Sequence, residues 1–139
     1  MSDEALALAR ENAVSLGLDA RTRLLRSDWF AAVEPDARFD LIVANPPYLS
    51  ELEAAATLPE VRAHEPRVAL SPGRDGTEAL AHIIAETPRF LTEEGLLAVE
   101  TGIDQHHRLR EWTAAAGFAR VESCRDLSGR ERHLLAWRH

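Results

Sequence analysis

A buried-strand pattern that ends abruptly at two prolines limits the fold of this chain more than any other feature. The run Phe39–Ala44 is apolar except for Asp40, and Asn45-Pro46-Pro47-Tyr48 follows it directly. Proline lacks the backbone donor that a sheet requires, so the strand must stop there. A continuous apolar run is typical of a strand buried on both faces, and hence of a parallel sheet. We therefore predict a strand over 39–44 with a polar tetrapeptide at its carboxyl end.

The rest of the chain alternates between helical and strand patterns. Helices are predicted at about 2–16, 77–90 and 104–116, and strands near Leu24-Leu25 and at 96–100, 118–124 and 133–137. This order predicts one α/β domain over 1–139, with a three-layer sandwich and a closing antiparallel hairpin. Residues 49–76 are interrupted by prolines and glycines, with a short helix expected near Glu51–Ala56. A loose stretch of this length is typical of a substrate loop or lid.

The tetrapeptide Asn45, Pro46, Pro47 and Tyr48, called the NPPY tetrapeptide below, has the chemistry of a site for a planar nitrogen. The prolines fix the backbone and present carbonyls without donors of their own. The Asn45 side-chain oxygen and the Pro46 carbonyl can both accept from one NH₂ group. Tyr48 can stack on a flat π-system. Pro-Pro-Tyr alone also resembles a ligand of WW-type domains, but the buried strand before it favours an enzyme site.

Charge and composition weigh against several classes of protein. The net charge is −7, with 16 Lys+Arg against 23 Asp+Glu, so no basic face for nucleic acid is indicated. One cysteine, Cys124, excludes an internal disulfide and a thiolate metal cluster and fits a reducing cytoplasm. His106-His107 lacks a third ligand, so we expect no metal. Apolar runs are too short to span a membrane, and the N-terminus has no signal-peptide pattern.

The run Phe39–Tyr48 resembles motif IV of class I methyltransferases that modify amide or amine nitrogen. Further matches, in the right order along the chain, are similar to one branch, the bacterial N5-glutamine methyltransferases of peptide chain release factors. These matches are Glu65-Pro66, Ala69-Leu70, Gly73-Arg74-Asp75-Gly76, Gly95–Glu100 with Gly102, Gly117-Phe118 and Arg125–Arg132.

The resemblance implies a Rossmann-like fold, S-adenosyl-L-methionine as cofactor, and the glutamine of a Gly-Gly-Gln loop on a release factor as substrate. By position, the NPPY tetrapeptide would bind that glutamine, and Asn45 would also contact the cofactor. Trp29 would pack near the adenine, and Asp28 is a candidate for its amino group. Glu65 is a candidate for positioning the substrate loop, and equally a solvated acid.

The resemblance also implies that two family features lie outside this sequence. They are the glycine-rich cofactor loop after the first strand and the acidic residue that ends the second. We therefore expect the fold of this chain to lack the first two strands of the family's sheet. We therefore expect the 139-residue chain to bind cofactor poorly and an upstream segment to restore binding. A gap or free edge in the sheet would favour self-association.

Three functions remain open from the sequence. The leading one is methylation of a release-factor glutamine, or of a glutamine in another protein. A DNA or RNA amino-methyltransferase acting on a flipped base uses the same kind of tetrapeptide. The third is an inactive truncated chain. The roles of Glu100, as a pocket acid or an ion-pair partner, and of Asp126, in a hairpin or at the substrate, are equally open.

Overall fold

The structure is a computed structural model that describes residues 2–48 and 76–139. The backbone divides into two compact units, Met1–Ala37 and Arg38–His139. The helix predicted near Glu51–Ala56, together with Glu65, lies outside the described residues. Whether the whole chain is one domain stays a prediction.

The first unit contains the helix α1, Asp3–Ser15, close to its predicted bounds. Ser2 caps it by accepting a hydrogen bond from a first-turn amide at 3.1 Å. Gly17 has a φ of 66° after the last turn, and the Leu18 amide donates back to the Ala13 carbonyl at 2.8 Å. These two features form a Schellman ending, which needs a residue in the left-handed region. The sequence therefore specified both ends of this helix.

The strand predicted near Leu24-Leu25 is wrong. Residues 22–27 have no regular secondary structure, and residues 2–37 contain no strand. A strand is stabilised by hydrogen bonds to a neighbouring strand, and within this unit none is present to pair with it. No side chain of residues 2–37 is buried, so a hydrophobic core does not hold the segment either.

The second unit is built on a four-stranded mixed sheet in the order β1-β2-β4-β3. The strands are β1 Phe39–Ala44, β2 Leu91–Glu100, β3 Arg120–Arg125 and β4 Glu131–Trp137. Strands β1 and β2 run parallel, whereas β4 is antiparallel to both β2 and β3. The predicted closing hairpin is confirmed. The register that places Ala44 beside Val99 brings the residues after β1 next to the end of β2.

Two helices, α2 Glu78–Glu86 and α3 His106–Ala115, pack with one face of this sheet. Their buried side chains include Leu80, Ile84 and Leu109, which contribute to one core with alternate residues of β2 and β4. These strand residues are Leu97, Val99, Leu134 and Ala136, and each is at most 2 % exposed. This pattern has the period of two that strands require and the period of 3.6 that helices require.

Strand β1 differs from the prediction that both of its faces are buried. Ile42 and Ala44 pack against the core, but Leu41 is 53 % exposed and Val43 is 71 % exposed. Alternate side chains of a strand point to opposite faces, and only one face of β1 meets the core. Within the described residues β1 also pairs on one side only, because it is the edge strand of the sheet.

The boundaries of two elements shift for local reasons. Helix α2 ends at Glu86, and Thr87–Arg89 continues as a 3₁₀ turn, because Pro88 lacks the amide that an α-helix would use. Strand β2 begins five residues before its prediction at residue 96. Glu94 and Gly95, which form a turn pattern in the sequence, lie inside β2, where the register with β1 jumps from Leu91 to Leu96.

Candidate functional site

The NPPY tetrapeptide begins directly after β1, at the carboxyl end of two parallel strands. Open α/β sheets bind ligands beyond the carboxyl ends of their strands. Pro46 is buried, whereas Asn45 is exposed and Pro47 and Tyr48 are half-buried. The buried Pro46 therefore anchors the tetrapeptide, and the side-chain amide of Asn45 remains accessible to a ligand.

Tyr48 is held by the end of β2. Its hydroxyl donates a hydrogen bond to Glu100 Oε1 at 2.5 Å, and its ring packs against the hydrophobic core. The Arg132 guanidinium lies 5.6 Å from the ring centroid, a distance typical of a cation–π contact. Glu100, the last residue of β2, thus binds the tetrapeptide through Tyr48.

Gln105 links the tetrapeptide to the start of α3. Its side-chain nitrogen donates to the Tyr48 carbonyl at 2.8 Å and to the Gly76 carbonyl at 3.4 Å. Its side-chain oxygen accepts from the Gly102 amide at 2.8 Å. Sequence reasoning missed this residue. A glutamine three residues after a glycine that opens a helix is a capping pattern, and that spacing could have indicated it.

His106 lies in a polar network behind this site. Its ring nitrogens are 2.8 Å from Thr101 Oγ1 and 2.8 Å from Ser123 Oγ, and Arg110 also donates to Ser123 at 3.0 Å. Burial lowers the pKa of His106 below its ordinary value, because the charged imidazolium is disfavoured away from water. The neutral ring therefore connects α3 to the end of β2 and to β3.

Asp126 closes the turn between β3 and β4. Its Oδ1 accepts from the Ser128 amide at 2.8 Å, the Ser128 hydroxyl at 2.6 Å and the Arg130 amide at 3.0 Å. The hydrogen bond from the Ser128 side chain is the largest cause of the lowered pKa of Asp126. Arg132 Nε lies 3.9 Å from its other oxygen. These contacts give Asp126 a role in the hairpin.

Asp28 and Trp29, the two candidate cofactor residues of the first unit, lie in a turn. The Ala31 amide donates to the Asp28 carbonyl at 3.0 Å, which closes this turn. Trp29 has a φ of 49°, and its side chain is 41 % exposed. It is the one non-glycine residue with positive φ among residues 2–48 and 76–139. A non-glycine residue rarely adopts this conformation without a local reason.

The remaining candidates divide into those placed and those outside the described residues. Glu65 is outside them, so its role stays a prediction. His82 is exposed on α2, and Cys124 is half-buried on β3. Over residues 2–48 and 76–139, no cluster of three or more His, Cys, Asp or Glu side chains could hold a metal ion. In the same residues, every helix is too short or too polar to cross a membrane.

Comparison with known proteins decides the family. The family model of the methyltransferase small domain matches residues 1–75, more than half of the chain. The chain belongs to the methyltransferase small domain family. The match includes β1 and the NPPY tetrapeptide.

Curated relatives carry a more specific name. The chain is 48% identical to the "Release factor glutamine methyltransferase" of Cereibacter sphaeroides, over 98% of this chain and 48% of that protein. It is 45% identical to the protein of the same name from Caulobacter vibrioides, over 96% of this chain and 46% of the relative. The resemblance predicted from the sequence motifs is confirmed. The chain spans about half the length of these relatives.

Solved structures confirm the fold. A methyltransferase from Pyrococcus furiosus superposes with a TM-score of 0.66 at 16% sequence identity, covering 99% of this chain and 59% of that chain. The predicted fold, a partial Rossmann-like methyltransferase fold with a C-terminal antiparallel hairpin, agrees with this likeness and with the observed sheet.

Proposed function

We propose that this methyltransferase small domain protein transfers a methyl group to the side-chain amide nitrogen of a glutamine, the N5 position. The substrate is the Gly-Gly-Gln loop of a peptide chain release factor, and the methyl donor is S-adenosyl-L-methionine. The observation that carries the proposal is the position of the NPPY tetrapeptide at the carboxyl end of β1, tied by Tyr48 to the end of β2. The names of the curated relatives support the same substrate.

The tetrapeptide matches the hydrogen-bonding needs of a primary amide. The substrate NH₂ group has two donors, and the Asn45 side-chain oxygen and the Pro46 carbonyl are two acceptors on one short segment. Pro46 is buried, and the proline that follows it restricts its ψ, so its carbonyl keeps one direction when the substrate arrives. Holding the substrate nitrogen in a fixed orientation makes the reaction effectively unimolecular, and this contributes a large part of the rate enhancement of an enzyme.

The residues proposed for the cofactor have suitable chemistry. The half-exposed indole of Trp29 can stack on an adenine ring, and its strained backbone is typical of a residue held in place for a ligand. The exposed carboxylate of Asp28 can accept from the adenine amino group, and Asn45 is a candidate for the methionyl end. When bound, S-adenosyl-L-methionine supplies a methyl group on a sulfonium, whose leaving group is a neutral thioether.

The protein's part in the reaction is to bind and orient the glutamine. Bound cofactor would supply an electrophilic methyl group, and the glutamine nitrogen would lose one N–H proton to water on accepting it. Acceptors at Asn45 and Pro46 hold the two N–H bonds and draw charge toward the nitrogen, which favours a more nucleophilic, pyramidal nitrogen. No general base is required from the tetrapeptide, because the donor is activated and the leaving group is neutral.

The partner that fits this chain is a protein, located in the cytoplasm. The net charge of −7 opposes stable binding of nucleic acid through its phosphates. Glu65 is proposed to contact the substrate segment. We propose no metal and no membrane partner for this activity.

The proposal is tested by methyl transfer from radiolabelled cofactor to purified release factor. The 139-residue chain is assayed alone and joined behind the upstream half of the Cereibacter sphaeroides relative, because the chain spans about half of such a protein. Release factor with its Gly-Gly-Gln glutamine replaced by alanine is the matched substrate control. We expect label only on the intact glutamine, a loss of at least tenfold in Asn45→Ala, and weaker cofactor binding without the upstream half.

Three other outcomes contradict the proposal. Label on adenine- or cytosine-containing DNA or RNA, and none on release factor, assigns the protein to amino-methylation of nucleic acid. Equal label on the alanine-substituted release factor places the reaction at another side chain. A folded joined protein that binds cofactor and labels no substrate of either class identifies the chain as an inactive relative.

A further inference from the structure

The carboxamide of Gln105 occupies a junction of three backbone segments. It donates to the carbonyl of Tyr48, at the end of the NPPY tetrapeptide, and to that of Gly76, two residues before α2. It also accepts from the amide of Gly102, which precedes the 3₁₀ turn Ile103–Gln105 ahead of α3. We propose that Gln105 is a positioning residue of the methyl-transfer site, which fixes the tetrapeptide through the Tyr48 carbonyl. This inference rests on the proposed function for its catalytic consequence, but the hydrogen bond itself is tested without any reaction.

The hydrogen bonds of Gln105 require an amide. Its NH₂ group donates to two carbonyls, Tyr48 and Gly76, while its oxygen accepts from the Gly102 amide. A carboxylate accepts but does not donate, and an ammonium donates but does not accept. At this position glutamate would keep the bond to Gly102 and place a negative oxygen against two carbonyl oxygens.

Gly102 provides the space for that amide. A Cβ atom on residue 102 would lie 2.9 Å from the Gln105 Cδ and 3.0 Å from its Oε1, which is closer than such contacts allow. Gly102 has a φ of −70°, an ordinary value for any residue, so the backbone itself does not demand glycine. A side chain at residue 102 would therefore displace the Gln105 amide from its hydrogen bonds.

Tyr48 is consequently fixed at both ends. Its hydroxyl donates to Glu100, and its carbonyl accepts from Gln105. The Pro46 carbonyl, proposed to accept from the substrate, lies two residues away on a backbone that Pro47 stiffens. Releasing the Tyr48 carbonyl removes one of the contacts that hold the tetrapeptide, and small displacements of a positioned acceptor are costly in catalysis.

Two variants remove this contact in different ways. Gln105→Glu keeps the side-chain length and the acceptor for Gly102 but removes both donors. Gly102→Ala leaves Gln105 in the sequence and displaces its amide, which is the far end of a flexible side chain. Asp104→Asn is the matched control, since it exchanges an acid and an amide at an exposed neighbouring position.

The direct readout uses the fact that the chain contains a single tyrosine. Protein labelled with tyrosine carrying ¹³C at its carbonyl gives one carbonyl signal, from Tyr48. We expect this signal to move upfield in Gln105→Glu and in Gly102→Ala, because a carbonyl that loses a hydrogen bond is less polarised. It should stay in place in Asp104→Asn. An unmoved signal in folded Gln105→Glu overturns the proposal.

The kinetic readout separates positioning from general stability. In the assay on release factor, we expect kcat/KM to fall roughly tenfold in both variants, the effect of one lost hydrogen bond of about 1.4 kcal/mol. Cofactor affinity and Tm should change far less. A moved carbonyl signal with unchanged kcat/KM rejects the positioning role. If the unsubstituted protein methylates nothing, the proposed function fails, while the carbonyl signal still decides whether Gln105 holds the tetrapeptide.

Discussion

At the scale of single residues, the candidate site is organised by side chains that hydrogen-bond to the backbone or to one another behind the NPPY tetrapeptide. Tyr48, Glu100, Gln105 and His106 all lie within or beside the junction of β1, β2 and α3. In the proposed reaction, none of these four residues contacts the substrate with a charged side chain. Their effect is to hold the acceptors of Asn45 and Pro46 in place.

The hydroxyl of Tyr48 gives the first prediction. Tyr48→Phe removes the hydroxyl that donates to Glu100, so the Glu100 carboxylate loses one hydrogen-bond partner. We expect the free energy of unfolding to fall by about 1 kcal/mol, the usual net value of such a bond. Urea denaturation followed by circular dichroism measures it. Glu100→Gln, which keeps an acceptor oxygen, should lose less than Tyr48→Phe; the reverse order would contradict the assignment of this bond.

His106 gives a prediction about pH. Burial lowers its pKa in the folded protein, so the unfolded chain binds a proton more readily near neutral pH. The contribution of the neutral ring is complete above the ordinary histidine pKa of about 6.5 and is lost as the pH falls below it. We expect the unfolding free energy to decline between pH 7.5 and 5.5, and His106→Gln to flatten this decline.

The control for this experiment is the next residue in the chain. The His107 side chain is 89% exposed, 3.7 Å from Glu111 on the solvent side of α3. His107→Gln should therefore retain the pH dependence that His106→Gln loses. If both variants show the same slope as the unsubstituted protein, His106 is not the group responsible.

At the scale of elements, β1 and β2 show how differently two neighbouring apolar strands are buried. Leu97 of β2 is fully buried, whereas Leu41 of β1 is 53 % exposed on the opposite face of the sheet. Both are leucines in strands that pair with each other. The energetic value of a leucine here therefore depends on its face and not on its residue type or secondary structure.

This difference predicts a large contrast between two identical substitutions. Leu97→Ala should lower the unfolding free energy by about 2–5 kcal/mol, because it removes packed atoms and leaves a cavity. Leu41→Ala should cost less than about 1 kcal/mol, because much of that side chain already meets water. Chemical denaturation of the two variants measures both. Equal losses would mean that the outer face of β1 is covered in solution.

The sequence predicted most elements, and the exceptions have physical reasons. Strand β1, helix α1 with its Ser2 cap, and the hairpin of β3 and β4 follow from local patterns and capping residues that the chain itself contains. The strand near Leu24-Leu25 failed, because strand formation depends on a partner that a local pattern does not reveal. The prediction that both faces of β1 are buried failed at Val43 for a similar reason. An apolar side chain can be buried, but its presence does not show that another layer covers it.

The candidate site was predicted in part. A local motif identified the NPPY tetrapeptide, because prolines after a buried strand are visible in one short stretch. Gln105 was missed, since two of its three partners, Tyr48 and Gly76, are distant in sequence and are brought to it only by the fold. The catalytic roles of Asp28, Trp29 and Glu65 stay predictions.

At the scale of the whole molecule, apolar surface remains exposed in both compact units. Leu8, Val14 and Leu16 are more than half exposed in the first unit, as are Leu41 and Val43 in the second. An edge strand with exposed apolar side chains and unpaired backbone groups favours association with another chain. The exposed surface thus supports the expectation of self-association.

The last prediction concerns that association. We expect the sedimentation coefficient of the chain to rise with protein concentration, and Val43→Lys to weaken this dependence, because a charged side chain opposes strand pairing at an edge. The matched control is His82→Lys, which adds a lysine at an exposed position of helix α2 and not on the edge strand. A concentration-independent sedimentation coefficient for the unsubstituted chain would refute the expectation.

The two hydrogen bonds from one nitrogen of Gln105 also have a consequence for how relatives of this protein can vary. The carbonyls of Tyr48 and Gly76 both accept a hydrogen bond from that nitrogen, so these two residues lie close together. A length of chain whose entry and exit coincide can be lengthened, shortened or exchanged without moving its anchorage. Under the proposed function, relatives can therefore differ in the residues between 48 and 76 while the proposed acceptors at Asn45 and Pro46 keep their place.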